Sequence, residues 1–301
     1  MVVYDLKTMA KTEMNEKAYV ALGTFDGCHY AHQKVLSLAF YEAKRRGIKS
    51  VAYTFSSIPK RSKSIFTLEE KIKAIAKTGV DYVAIEDFED VKGLSPKEFF
   101  DNILIGKLNA VGCSCGYNYR FGSGASADAS TLESFFAQID GGSVRICEKI
   151  IINEKAVSST LLRDLVENGD IELLDSFGSK YKVYAKVEEG KRLGTRLGFP
   201  TINQRIPDEK IVPRNGVYIT ECEIGEDVYP SVTNVGIRPS IDDGDSINME
   251  TYIIGYNGNL YHSYIKVNFY KYLRGEVKFD SLEKLKEQIE RDSKAAKEYF
   301  K

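Results

Sequence analysis

Two stretches of the chain concentrate side chains that handle phosphate. In GTFDGCHYAHQ (23–33), Gly23 and Gly27 sit where a strand turns into a helix, and His29 and His32 fall just inside the helix start. The first N–H groups of a helix lack intrahelical partners and point outward, so such a turn attracts an anion. Imidazoles three residues apart share one helix face and can donate to the same triphosphate. The plainer alternative is a pair of capping or surface histidines. The second stretch is EEGKRLGTRLGFPTIN (188–203). Gly190, Gly194 and Gly198 let backbone N–H groups approach a nucleotide phosphate, with Lys191 and Arg196 supplying charge. After Pro200, Thr201 and Asn203 place a hydroxyl and an amide oxygen two residues apart, on one face if extended. Hard oxygen ligands of that kind, completed by ATP phosphates and water, suit Mg²⁺. Taken alone, the glycines would fit an ordinary glycine-rich hairpin.

The elements that must position these groups change character along the chain. The first half alternates strand and helix signals: strands at 19–25, 48–55, 80–85 and 109–115, and a fifth in VRIC with KIII. Between them, Val35, Leu36, Ala39, Phe40 and Ala43 recur at helical spacing up to Arg46, where Gly47 stops the helix. Thr67 with Glu70, and Ser95 with Pro96 and Glu98, read as helix starts, and TLESFFAQI (131–139) as a further helix. Single helices between strands predict a doubly wound parallel sheet. After Gly178 the segments become short and rich in Val, Ile and Tyr, separated by Gly, Asn and Asp turns. The amphipathic run 281–300, with Leu282, Leu285, Ile289 and Ala296 on one side, closes the chain. The expected fold class is therefore α/β: a doubly wound nucleotide-binding domain at 1–178, then a small antiparallel β-barrel with a C-terminal helix at 179–301.

Composition narrows the function classes. The chain has 301 residues, with 42 basic against 43 acidic side chains, a balance that gives no electrostatic reason to expect nucleic acid or an anionic membrane as the main partner. The first residues have no continuous apolar core, so no signal peptide is expected, and no apolar run is long enough to span a bilayer. Five cysteines are an odd number without paired metal spacing; Cys113 and Cys115 read as small hydrophobes in a buried strand. The expectation is a soluble protein of a reducing, cytoplasmic compartment.

The motif G-x-F-D-G-x-H-x-x-H-Q, followed in order by GYNYRFGSGASAD (116–128) and VSSTLLRDLVENGDIELL (157–174), resembles the adenylyltransferase domain of bacterial bifunctional riboflavin kinase/FAD synthetases. The later string G-x-x-x-G-x-x-L-G-F-P-T-x-N resembles the riboflavin kinase signature, with PRNGVY (213–218), TNVGIRPS (233–240), Glu250, NLY (259–261) and LRGEVKF (273–279) following in family order. The resemblance implies phosphorylation of riboflavin to FMN and adenylylation of FMN to FAD, with ATP as co-substrate and Mg²⁺ as metal. For the adenylyltransferase it implies His29, His32 and Arg163 at the phosphates. Gly23, Phe25, Asp26, Gly27, Asn118, Ser159 and Thr160 would be the remaining ATP/FMN contacts. For the kinase it implies Glu250 as general base, Gly190, Lys191, Gly194, Arg196, Gly198 and Pro200 at ATP, Thr201 and Asn203 at the metal, and Arg274 and Glu276 near the flavin. Read from residue type alone, Glu250 would be an outward strand carboxylate, and Arg274 with Glu276 a surface ion pair.

The chain departs from the family pattern at several positions. Ala31 replaces a glycine between the histidines, and Ser57-Ile58-Pro59 replaces a P-H-P. Ser123 and Ala125 stand where Lys and Arg are usual, Ala127 replaces a glycine, and Gly255-Tyr256 replaces Asp-Phe. Each lost charge-assisted phosphate contact is worth about 1.5–3 kcal/mol. A kinase with a weakened adenylyltransferase is therefore one alternative, and a non-catalytic flavin or nucleotide sensor is a second.

Overall fold

The computed structural model describes residues 1–7, 14–57, 63–189, 198–240 and 244–301. Gly190, Lys191, Gly194, Arg196, Ile58 and Pro59 lie outside the described residues. The chain divides into two compact units, Met1–Leu161 with Phe177–Ser179, and Leu162–Ser176 with Lys180–Lys301. Among the described residues no helix is long and apolar enough to cross a membrane.

The first unit is built on a six-stranded parallel sheet of β1 (Val2–Asp5), β2 (Ala18–Leu22), β3 (Lys49–Phe55), β4 (Tyr82–Glu86), β5 (Ala110–Gly116) and β6 (Ser143–Cys147). Their order is β1-β4-β3-β2-β5-β6. All five residues of β2 are buried, the pattern of a central strand with both faces covered. Helix α1 (Tyr30–Arg46) packs on β2, β3 and β5 through Val35, Leu36, Ala39 and Ala43. Gly47 ends it in the left-handed region at φ 66°, a conformation glycine adopts without penalty. Helix α2 (Leu68–Ala76) carries the expected capping box, with both Thr67–Glu70 bonds formed.

Three features differ from the sequence expectation. Strand β1 was not expected; it adds to β4 at the sheet edge, where exposed Val2 and Val3 leave no buried apolar pattern to read. Ser95 and Glu98 form their capping box, but the helix then widens over α3 (Phe99–Lys107) to i→i+5 bonding, which turns Phe99, Phe100, Ile103 and Leu104 inward together. KIII does not extend β6. Ile151–Ile152 pairs only with Lys155–Ala156, because Asn153 and Glu154, both at positive φ, make a tight hairpin turn. Helix α4 (Ala129–Phe136) follows, and α5 (Ser159–Asn168) starts in this unit and belongs to the second from Leu162 onward.

The second unit is a closed antiparallel barrel of β7 (Lys182–Glu188), β8 (Thr201–Arg205), β9 (Gly216–Ile224), β10 (Asp227–Ser240), β11 (Gly244–Ile253) and β12 (Tyr264–Arg274). The strands run in the order β7-β8-β11-β10-β9-β12. Thr220, Ser231, Thr233 and Thr251 satisfy one another on one face through hydroxyl bonds of 2.8–2.9 Å. Alternation along the strands turns Asn234 and Glu250 to the opposite face. That face is covered by α6 (Leu282–Tyr299), whose Ala296 packs with Val217, Ile219 and Val232. Leu282, assigned to the buried stripe by its spacing, is 53% exposed at the first turn of this helix.

Candidate active sites

In the first unit, the turn between β2 and α1 opens onto a cavity of about 540 Å³. Gly23, His29, His32, Asn118, Ser159 and Thr160 line it, so three motifs far apart in sequence meet there. His29 is the N-cap of α1, and its Nδ1 accepts the His32 N–H at 3.3 Å. That bond leaves the proton on Nε2, which lies 3.5 Å from the Ser159 hydroxyl. The Ser159 hydroxyl in turn donates to the Asp26 carbonyl at 3.0 Å. The two imidazoles stack at 3.7 Å between centroids, and the Phe25 ring meets His32 edge-on at 5.4 Å.

Burial pushes His29 down to about 4, and burial, then His29 and Lys71, push His32 well below its ordinary value. Both rings are therefore neutral near pH 7 and face a ligand as hydrogen-bonding groups without charge. His32 Nδ1 is buried with no hydrogen-bond partner. The first turn of α1 holds no acidic side chain to offset the positive helix end.

Phe25, Asp26 and Gly27 stand behind the wall and shape it without lining it. The Asp26 carboxylate accepts the Ile65 and Phe66 N–H groups at 2.9 and 3.0 Å, fastening the segment that enters α2. Phe25 takes φ 51° and Gly27 φ 74° to make the turn. Arg163, one helical turn after Ser159, is 6% exposed and outside the lining. The wall also holds cations that the sequence reading did not select. Arg120, in the quoted GYNYRFGSG run, and Lys92 both line it, paired with Asp128 and Glu89. Ala125 lines it without charge. Lys71, outside all the motifs, is buried; its ammonium donates to the Phe55 carbonyl at 2.8 Å, and burial lowers it to about 8 against the opposing pull of Asp26.

In the barrel unit, a cavity of about 350 Å³ lies between the outward sheet face and α6. Strand register sets three polar side chains side by side: Asn203 of β8 opposes Glu250 of β11, and Glu250 opposes Asn234 of β10. Thr201 and Glu250 line the cavity, with Phe199 and Tyr252 in edge-on contact at 5.2 Å. Asn203 is 6% exposed, and its Oδ1 is buried without a partner, as is Oδ1 of Asn234. Gly198 has φ 86° and Pro200 is exposed.

Arg274 and Glu276 also line this cavity, but they are not paired with each other. Arg274 binds the Asp292 carboxylate of α6 through Nη2 at 2.7 Å, and Glu276 accepts the Asn234 amide at 3.0 Å. Asn234 was missed by the sequence reading although it lies inside TNVGIRPS; nothing in a single strand tells which residue its neighbour sets opposite. All five cysteines are buried and free, Cys113 and Cys115 within β5 as expected.

Comparison with known proteins agrees with both geometries. The FAD synthetase family model matches residues 11–161 and the riboflavin kinase model residues 177–300. The chain belongs to the bifunctional riboflavin kinase/FMN adenylyltransferase family. It is 33% identical to the bifunctional riboflavin kinase/FMN adenylyltransferase of Bacillus subtilis, covering 96% of this chain and 94% of that protein. The Escherichia coli K12 protein of the same name is 29% identical over 95% of this chain and 93% of its own length. A crystal structure from Streptococcus pneumoniae, described as a macrolide-efflux protein, superposes with a TM-score of 0.88 at 25% identity over 99% of both chains.

Proposed function

We propose that this chain makes both flavin nucleotides: it phosphorylates riboflavin to FMN in the barrel and adenylylates FMN to FAD, with release of pyrophosphate, in the parallel-sheet unit. Both reactions use ATP as co-substrate. We assign adenylyl transfer to residues 1–178 and the kinase to residues 179–301, working in the cytoplasm. The observation that carries the kinase half is Glu250 held on an ordered sheet between Asn203 and Asn234, facing a cavity.

Glu250 accepts the proton of the riboflavin 5′-hydroxyl as its oxygen bonds to the γ-phosphorus and ADP leaves. Thr201 and Asn203 fit a hard divalent ion, because Asn203 Oδ1 is a buried oxygen with no donor and Thr201 lies two residues before it on the same strand face. They would hold Mg²⁺, which when bound neutralises and orients the ATP phosphates. Gly198, Pro200 and, outside the described residues, Gly190, Lys191, Gly194 and Arg196 complete the nucleotide side. Arg274 and Glu276 serve the flavin side.

In the other unit, the FMN phosphate attacks the α-phosphorus of ATP and pyrophosphate departs in line. Neutral His29 and His32 donate to the ATP phosphates from the α1 N-terminus, with Gly23 giving the backbone room. Ser159 and Thr160 open α5 toward the same cavity, Asn118 orients the flavin phosphate, and Arg163 acts from further along that helix. Arg120 and Lys92 contribute positive charge. A narrower reading, with kinase activity alone, is favoured by Ala125 standing uncharged in the cavity wall.

The test is chromatography of products after incubating the full chain with ATP and Mg²⁺, starting separately from riboflavin and from FMN. Riboflavin should yield FMN and then FAD, and Glu250→Gln should slow the first step by about 10²–10⁴-fold, the usual contribution of a general base, while FMN still becomes FAD. Neither product from wild type would refute the proposal. FMN that persists when supplied directly would leave only the narrower reading.

A further inference from the structure

We propose that Asn234 reads the polyol chain of the phosphoryl acceptor: its Oδ1 accepts a hydrogen bond from an interior hydroxyl of the flavin side chain, and Glu276 is the positioning residue that aims it. The inference rests on the kinase reading of the barrel cavity and deepens it, since it concerns which acceptor the site admits.

Asn234 lies in the middle of the sheet face, opposite Val217 on one side and Glu250 on the other, and it lines the same cavity as Glu250. Its amide orientation follows from chemistry. The Nδ2 atom is 3.0 Å from Glu276 Oε1, and a carboxylate only accepts, so the NH₂ group must face Glu276. The other end of the amide, Oδ1, is then turned away from Glu276, buried and without a donor. A buried acceptor left unpaired is costly, and because Asn234 lines the cavity that Glu250 faces, a ligand bound there can supply the donor.

Gly236, two residues along the same strand face, makes this arrangement possible. A Cβ there would press on Glu276 Oε1, so any larger residue would move the carboxylate from its place beside Asn234.

The chemistry of the missing donor follows. A phosphate oxygen is itself an acceptor and cannot satisfy Oδ1. A flavin ring edge offers few donors, whereas a polyol offers a hydroxyl on each interior carbon. A metal ion is the competing occupant. It is disfavoured because Asn203, on the opposite side of Glu250, already carries an unpaired oxygen beside the Thr201 hydroxyl.

The test compares riboflavin with its side-chain analogues lacking one interior hydroxyl each, as acceptors for the full chain with ATP and Mg²⁺. For wild type, kcat/KM should fall about tenfold for one analogue, the loss expected when a buried acceptor stays unpaired. In Asn234→Ala that discrimination should disappear, because riboflavin and the analogue then meet the same site. The ratio is independent of how much protein is correctly folded. If the alanine variant turns over too slowly, the same ratio is read from equilibrium binding by quenching of flavin fluorescence. Glu276→Leu should lose part of the discrimination, and the double variant should lose no more than Asn234→Ala alone, since Glu276 acts through Asn234.

Undiminished discrimination in Asn234→Ala, or none in wild type, overturns the inference and leaves the kinase reading standing. A weakened Mg²⁺ dependence in Asn234→Ala, with discrimination unchanged, assigns the oxygen to the metal instead. No FMN from wild-type protein and riboflavin removes the kinase reading and the inference with it.

Discussion

Gly23 tests the stacked histidines by a single added methyl group. A Cβ at this position would lie 2.8 Å from Cε1 and 3.0 Å from Cζ of Phe25. Carbon atoms rest at about 3.5–4.0 Å, so the ring must yield by roughly 0.7 Å. Phe25 has nowhere easy to go: it is fully buried, sits at φ 51°, and meets His32 edge-on, with His32 stacked in turn on His29. The added carbon therefore pushes through the phenyl ring onto the imidazoles. Overpacking of this kind costs about 1–3 kcal/mol of stability, and a displacement approaching 1 Å in groups that position a reacting phosphate costs up to about 10²-fold in rate. Gly23→Ala is expected to fold, melt somewhat lower, and convert FMN to FAD roughly 10–100-fold more slowly, while riboflavin phosphorylation in the same preparation stays near wild type. Both rates are read by separating the flavins after quenching. An unchanged FMN-to-FAD rate would refute the view that Phe25 transmits position to the histidine pair.

Two further perturbations address pH and the barrel clamp. Burial holds His29 at about 4 against an ordinary 6.5, so the unfolded chain takes up a proton that the folded chain refuses. Its contribution is complete above about pH 6.5 and is lost as pH falls toward 4, at roughly 1.4 kcal/mol per unit. Denaturant unfolding of wild type and His29→Gln between about pH 7 and 5 should show the smaller slope in the variant; equal slopes would mean that the ring is not buried neutral. Asp292, 6% exposed, receives Arg274 and the Gln288 amide. Asp292→Asn should destabilise the barrel by about 2–3 kcal/mol, less than a fully buried pair because Arg274 keeps 23% side-chain exposure. An unchanged unfolding midpoint would show the pair to be idle.

Where hydrophobic period and local capping decide the structure, the sequence was a sufficient guide. The four interior strands of the sheet are largely buried runs, α1 ends at the glycine that must end it, and the Thr67–Glu70 and Ser95–Glu98 boxes form as their spacing requires. What escaped has a common cause. Strand β1 earns its place by backbone pairing to β4 at an edge, and edge pairing leaves little mark on side-chain type. The widened winding of α3 changes which residues share a face without changing their composition. The hairpin at Asn153 and Glu154 is set by positive φ at two non-glycine residues, and only asparagine is a usual signal for it.

The sites divide along the same line. His29, His32, Ser159 and Asn118 meet in one cavity because these motif residues sit at or beside element ends, where sequence position and cavity position coincide. Asp26, equally prominent in its motif, proved to be bound to backbone N–H groups, since a carboxylate in a tight turn satisfies whichever unpaired donors lie nearest. In the barrel the decisive fact is register. Asn203, Glu250 and Asn234 lie on three strands separated by loops, and a slip of one residue in either pairing would send Glu250 to the face of the Thr220–Thr233–Thr251 hydroxyls. That face is built from buried hydroxyls bonded to one another, while the opposite face carries the unpartnered amide oxygens of Asn203 and Asn234. Burial of the hydroxyl network thus favours this register, and the register brings Asn203, Glu250 and Asn234 together: the core of the barrel sets which polar side chains meet on its outside.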